Sequence, residues 1–353
     1  MTSISKRVFG RLSNGQSADI YTLTNRHGLC AKITNFGGVV VALQVPDKAG
    51  QLGDVVLGFD TLAPYEDISP YFGALIGPYG NRIANAAFAL NGRQYQLQKN
   101  DGSNCLHGGE RGFDKLLWAA EAGEVSGVPT LQLNYLWPDG EGGFPGNLQL
   151  RAEYRLTDTN ELTTCFFAVS DRASHVNFTQ HSYFNLLGQG SVAQHKVQID
   201  ADSYLPIDEN FIPLGEPAPV AESAFDFRKP KALGEGLQQG HLQTQRVNGG
   251  YDHNYVLNKT AANAYERAAR VCEMQSGRVL EVYTTEPGLQ FYSGNFLDGS
   301  ICGKQGQRYS KHSGFCLEPQ HFPDSPNQSQ FPSTLLQPGE CFESQIGFKF
   351  STQ

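Results

Sequence analysis

The chain has 353 residues, of which 39% are hydrophobic, 11% aromatic and only 18% charged, with 39 glycines, two methionines and a formal net charge of −8. That length buries a large core without help from disulfides or metals, and so few charges disfavour a helix-rich protein. The acidic balance offers no basic stripe for nucleic acid, and no window approaches the roughly 18 uninterrupted apolar residues of a membrane span, so neither partner is expected.

In chain order, the N-terminal MTSISKRVFGRLSNGQ has no apolar segment of the kind that directs secretion. Val39–Val45 is an apolar, β-branched run broken only by Gln44, suited to a strand covered on both faces. Asn91-Gly92, before RQYQLQ (93–98), is a two-residue hairpin signal because both central positions need positive φ. LQLNYL (131–136) alternates, and PDGEGGFPG (138–146) is a loop. From Leu148 to Leu156 the alternation is strict: Leu148, Leu150, Ala152, Tyr154 and Leu156 face one way, Gln149, Arg151, Glu153 and Arg155 the other. A short turn at Thr157–Asn160 leads into ELTTCFFAV (161–169), whose density of apolar and β-branched residues predicts a central strand covered on both faces. KVQID (196–200) is a further strand, the segment after Phe227 holds one helical turn or two, and AANAYERAARV (261–271) is the best helix candidate. Many short strands with turns between them predict an all-β protein, a large antiparallel β-sandwich with few short helices, as one domain over residues 1–353.

Seven cysteines at 30, 105, 165, 272, 302, 316 and 341 include no C-x-x-C pair. They read as reduced thiols of a cytoplasmic protein. Asn177, Asn258 and Asn327 head Asn-x-Ser/Thr sequons, which carry meaning only on a secretory route.

Common cofactor and nucleophile motifs are missing. There is no phosphate-binding G-x-x-x-x-G-K-[ST], no strand–GxGxxG–helix unit, no H-E-x-x-H and no G-x-S-x-G. Chemistry without cofactor or metal is therefore expected. Four segments concentrate His, Glu or Arg beside glycines and aromatics: GPYGNRIANA (77–86), NCLHGGERGFDKLLW (104–118), HVNFTQHSYFNLLG (175–188) and SGFCLEPQHFPDSPN (313–327). On the loops of a β protein these suit a carbohydrate, whose ring faces stack on aromatics while its hydroxyls take side-chain hydrogen bonds.

Those segments, with YFGALIG (71–77), PDGEGGFPGNL (138–148), YDHNYVL (251–257) and PGLQFYSGNFLDG (287–299), occur in one order from residue 71 to 332 and resemble the aldose 1-epimerase family. The resemblance implies a β-supersandwich and interconversion of the α- and β-anomers of free aldohexoses such as D-galactose and D-glucose, by a monomer or weak homodimer. It puts a general acid on His181 and a general base on Glu318. Sugar-binding roles fall on Asn81, Arg82, His107, Asp252 and Gln290, with Tyr183 lining the pocket. Two positions depart from the family pattern: Pro78 stands where Arg is common, and Gln180 where Asn is.

The residue types suit that chemistry. Opening the ring takes a proton from the C1 hydroxyl and gives one to the ring oxygen, and a carboxylate and an imidazole can do both. Each residue alone also has a plainer reading. His181 would be a core histidine, Glu318 a strand-end carboxylate, Arg82 an ion-pair partner, Asp252 a turn cap, Asn81 a positive-φ turn residue, His107 part of an ordinary loop and Gln290 a strand surface residue. His27, His175, His195, His241, His253, His312 and His321 keep the structural reading. Two rival functions share these residues: a glycoside hydrolase using Glu318 with Asp252, and a non-enzymatic sugar-binding protein.

Overall fold

The computed structural model describes residues 2–238 and 240–353. Every strand ladder among them is antiparallel. The largest sheet has nine strands, in the order Ala119–Val125, Val128–Trp137, Leu148–Leu156, Glu161–Ser170, Cys341–Thr352, Arg278–Thr284, Glu266–Cys272, Lys196–Ile199 and Lys231–Ala232. A six-stranded sheet follows the order Tyr183–Phe184, Phe315–Gln320, Gly288–Tyr292, Asp252–Leu257, Ala201–Tyr204 and Ala218–Pro219. The first five strands, from Ser3–Arg11 to Leu52–Asp54, form a meander of their own. The main core lies between the two larger sheets, where Tyr154, Phe166 and Phe348 of one pack in a single cluster with Phe184, Phe291 and Leu317 of the other. This is the β-sandwich that the alternating pattern predicts. The α-helices among the described residues, Ala63–Asp67, Leu233–Leu237 and Leu242–Arg246, are five residues each.

Local signals and structure agree where the chain is simplest. Asn91 and Gly92 turn with φ of 52° and 75° between Ala87–Leu90 and Arg93–Gln96. In Leu148–Leu156 the even-numbered apolar positions are buried, while Gln149 and Arg151 are exposed. Glu153 breaks the alternation: it is buried and held by Arg155 Nε at 2.6 Å.

Two expectations need correcting. The stretch 261–271 is not a helix; its second half is the strand Glu266–Cys272, paired on both sides by Arg278–Thr284 and Lys196–Ile199. The helix preference of its alanines, a few tenths of a kcal/mol each, yields to a central ladder position that buries Ala268, Ala269 and Val271. Glu161–Ser170 is central, but its outer face is only half-buried: Cys165, Phe167 and Val169 remain partly exposed. Phe167 is covered by the Arg151 guanidinium 4.0 Å from its ring, not by a second layer.

Candidate active site

The six-stranded sheet has two unlike faces. Along Phe315–Gln320, Phe315 and Leu317 enter the core, so the pleat turns Cys316, Glu318 and Gln320 to the other side. The ladder then aligns Glu318 opposite Gln290, and Gln290 opposite Asn254. Asp252 shares that face two residues from Asn254, and Tyr183 joins it opposite Cys316. All of these but Asp252 are buried, and Asp252 is nearly so. A buried sheet face that is polar is costly unless something satisfies it.

His181, Arg82, Asn81 and His107 come to this face from outside the sheet. His181 ends the strand Thr179–His181, paired with Ala74–Ile76. Its imidazole Nε2 lies 3.6 Å from Glu318 Oε2, and both side chains are almost fully buried. The ring is near-parallel to Tyr183 at 5.0 Å and to Tyr71 at 5.8 Å, and His107 meets it edge-on at 5.3 Å. Arg82–Ile83 pairs with Cys105–Leu106, which brings the two flanking loops together. Tyr71, Asn81 and His107 all adopt the left-handed conformation, with φ of 66°, 63° and 54°. Strain of that kind at non-glycine residues concentrates where side chains must be aimed.

Hydrogen bonds fix the orientation of these groups and burial shifts their protonation. The Asn81 backbone N–H donates to His107 Nδ1 at 3.1 Å, so the neutral His107 ring carries its proton on Nε2. Gln290 Nε2 donates to Asp252 Oδ1 at 2.7 Å, and Arg82 Nε donates to Asp101 Oδ2 at 2.7 Å. Burial pushes the Glu318 carboxyl well above the usual range, with the Asp252 charge adding to the rise and Arg82 opposing it. Burial also raises Asp252, lowers His181 to about 4, and depresses His107, which the His181 and Arg82 charges depress further. His181 Nδ1, Gln290 Oε1, Glu318 Oε2 and both amide atoms of Asn254 and Gln320 are buried with no hydrogen-bond partner among the described residues. His107, His181 and Glu318 each offer a donor atom within 4.8 Å of the others, a spacing a metal ion could close. The set does not fit one: His107 has Nδ1 committed to Asn81 and a proton on Nε2, leaving no free lone pair.

Residues 19–349 match the family model described as Aldose 1-epimerase. The chain belongs to the aldose 1-epimerase family. It is 48% identical to a human galactose mutarotase over 354 aligned residues and 47% identical to one from Rattus norvegicus over 353, each match covering 99% of both chains. A solved galactose 1-epimerase from Lactobacillus acidophilus superposes with a TM-score of 0.88 at 29% identity, over 100% of this chain and 99% of that one. Pro78 and Gln180 are both engaged by their neighbours. Pro78 abuts Gly108, and its carbonyl accepts from Asn177 N at 3.0 Å. Gln180 is spent on Gly73 O and Ser182 Oγ, each at 2.9 Å.

The structure thus brings Asn81, Arg82, His107, His181, Tyr183, Asp252, Gln290 and Glu318 to one region. Some of the plainer readings hold alongside: Arg82 does pair with Asp101, and Asn81 does occupy a positive-φ turn. Asp252 opens a strand and is not a turn cap. Of the remaining histidines, His175, His195, His241, His253, His312 and His321 each have a hydrogen-bond partner away from this region, Glu286 holding His321 at 2.6 Å. Sequence reasoning passed over Tyr71 and Asn177, though both stand inside the quoted motifs. Asn177 is a junction. Its Nδ2 donates to Gly80 O (3.1 Å) and His321 O (3.2 Å), its Oδ1 accepts from His321 N (2.9 Å), and its backbone bonds Pro78 O and Gly80 N. It ties the loop of Asn81 and Arg82 to the end of the Glu318 strand.

Proposed function

We propose that this member of the family is an isomerase that interconverts the α- and β-anomers of free aldohexoses, D-galactose and D-glucose among them, with Glu318 and His181 exchanging protons with the hemiacetal. The 3.6 Å approach of His181 Nε2 to Glu318 Oε2 inside a buried polar site carries this reading.

Burial raises one partner and lowers the other, so when His181 has lost its proton, just above about pH 4, the carboxyl of the ligand-free pair still holds one. The charge-separated arrangement, carboxylate and imidazolium, is one proton transfer away. A sugar between them relays that proton: Glu318 takes it from the C1 hydroxyl, the C1–O5 bond breaks as C1 becomes a carbonyl, and His181 gives a proton to O5. Rotation about C1–C2 presents the other carbonyl face, and O5 closes on it as both protons return. The pair ends as it began, and no redox equivalent is consumed. Asp252 and Gln290 orient one another and, with Asn81, accept or donate to sugar hydroxyls. Arg82 and the fixed Nε2–H of His107 supply donors where negative charge gathers on oxygen. Tyr183 forms a wall beside the imidazole.

A single domain spanning residues 1–353 is supported by one core cluster that draws residues from Tyr21 to Phe350. A monomer or weak homodimer suffices, because one chain supplies every named side chain. Seven free cysteines, two of them exposed, suit the reducing cytoplasm. Among the described residues no helix is long and apolar enough to cross a membrane. Polarimetry of freshly dissolved α-D-galactose tests the activity. The optical rotation should relax much faster with protein than in buffer, and equal rates would end the proposal.

A further inference from the structure

The side chains around the polar sheet face form a closed circuit. From His181 it runs to Tyr183 (5.0 Å between rings), Tyr292 (5.8 Å), Phe296 (6.2 Å), Phe211 (6.1 Å) and the guanidinium of Arg82 (4.8 Å). It closes through the Asn81 backbone and His107, whose ring is 5.3 Å from His181. All its members are buried except two: Phe296 is 50% exposed and Phe211 half-buried. Phe211 is also held in a conformation unusual for a bulky residue, with φ of 62°. The turn that imposes it is braced twice. Asp208 Oδ1 accepts from Asn210 N (2.8 Å) and Ile212 N (3.0 Å), and the buried Asn104 donates through Nδ2 to Asn210 O (3.1 Å).

A partly exposed aromatic pair, one member strained into place, forms the solvent-facing arc of this circuit. We propose that Phe211 and Phe296 are the outer wall of the sugar pocket, packing against the C–H face of a neutral monosaccharide and setting its affinity. This rests on the anomerase reading above and names its specificity. Aromatic rings suit the apolar face of a pyranose. Neutrality follows from charge: Glu318 and Asp252 face one guanidinium, itself paired with Asp101, so the named residues of this face include no unpaired cation for a phosphate or uronate. Were Phe211 there only to cover Arg82, Phe296 would be dispensable, since its ring meets Tyr292 and Phe211 and no charged group of the site.

The test is anomerisation kinetics with D-galactose for Phe296→Ala, Phe211→Ala and the conservative Phe296→Tyr. Both alanine variants should raise KM about three- to tenfold with kcat within threefold, and Phe296→Tyr should stay within twofold of the parent KM. Phe296→Trp provides a direct reading, because its emission should shift on titration with D-galactose and saturate near the parent KM. A KM unchanged in Phe296→Ala, a loss confined to kcat, or an indole emission in Phe296→Trp that does not respond to the sugar each overturns the proposal. A parent protein that fails to anomerise galactose at all would sink the activity and not this wall.

Discussion

The nine-stranded and six-stranded sheets share a core but treat their other faces differently. The large sheet turns its outer face to solvent, as in Leu148–Leu156, where Gln149 and Arg151 are exposed. The small sheet is buried on both faces along Gly288–Tyr292 and Phe315–Gln320, and its second face carries Glu318, Gln290, Asp252, Asn254 and Gln320. Polar groups cost nothing on the first outer face because water satisfies them. On the second, several have no hydrogen-bond partner among the described residues, and stability alone gives no reason to keep them. A fold that retains such a face retains it for a ligand.

The comparison is broken most severely by Glu318→Gln or His181→Asn, which should lower kcat by about 10²–10⁴-fold or more while leaving the melting temperature near the parent value. Polarimetry with thermal unfolding separates the two effects. The large sheet should behave oppositely. Phe166→Ala, in the shared core, should cost about 3–5 kcal/mol in denaturant unfolding and leave the KM of the folded protein unchanged. Asn177→Ala sits between the cases: it orphans buried backbone groups, at about 1–3 kcal/mol, and loosens the Arg82 loop against the Glu318 strand, so stability and kcat/KM should fall together. A pH profile sharpens the electrostatic side. As pH falls through about 4, His181 takes up a proton that the ligand-free pair otherwise excludes; kcat/KM should therefore drop below that point. The mildest effect is expected on the solvent face, where Arg151→Ala removes the cover of Phe167 and should cost under about 1 kcal/mol in chemical unfolding.

Legibility in the sequence followed the same division. Where one face meets water, period two is plain, and Leu148–Leu156 and the Asn91-Gly92 hairpin are readable from the residues alone. Where both faces are buried, alternation of apolar with polar does not announce that the polar side is inside; FCLEPQ looks like an ordinary half-solvated strand. Glu266–Cys272 was hidden by alanines, whose local preference says nothing about an open ladder position on each side. The residues named from the motifs converge in space, yet the spacing of those motifs could not reveal it, since the ladders join positions 318, 290 and 254. Phe211 lies outside every quoted segment and Phe296 stands inside PGLQFYSGNFLDG without being singled out, because a half-exposed phenylalanine is unremarkable until its neighbours are known. Asn177 was noticed only as a sequon, and its work lies in hydrogen bonds that no local pattern encodes.

That last residue has a consequence for biosynthesis. Asn177 heads an Asn-Phe-Thr sequon, but its side-chain amide is fully buried and both its nitrogen and its oxygen are engaged. An oligosaccharide attached there would have to be accommodated before the chain closed, and would replace an N–H that the fold requires. N-linked glycan at this asparagine and an assembled pocket are mutually exclusive, whereas the exposed Asn258, whose amide donates once to Asp202 Oδ2 at 3.2 Å, leaves an N–H free and imposes no such conflict.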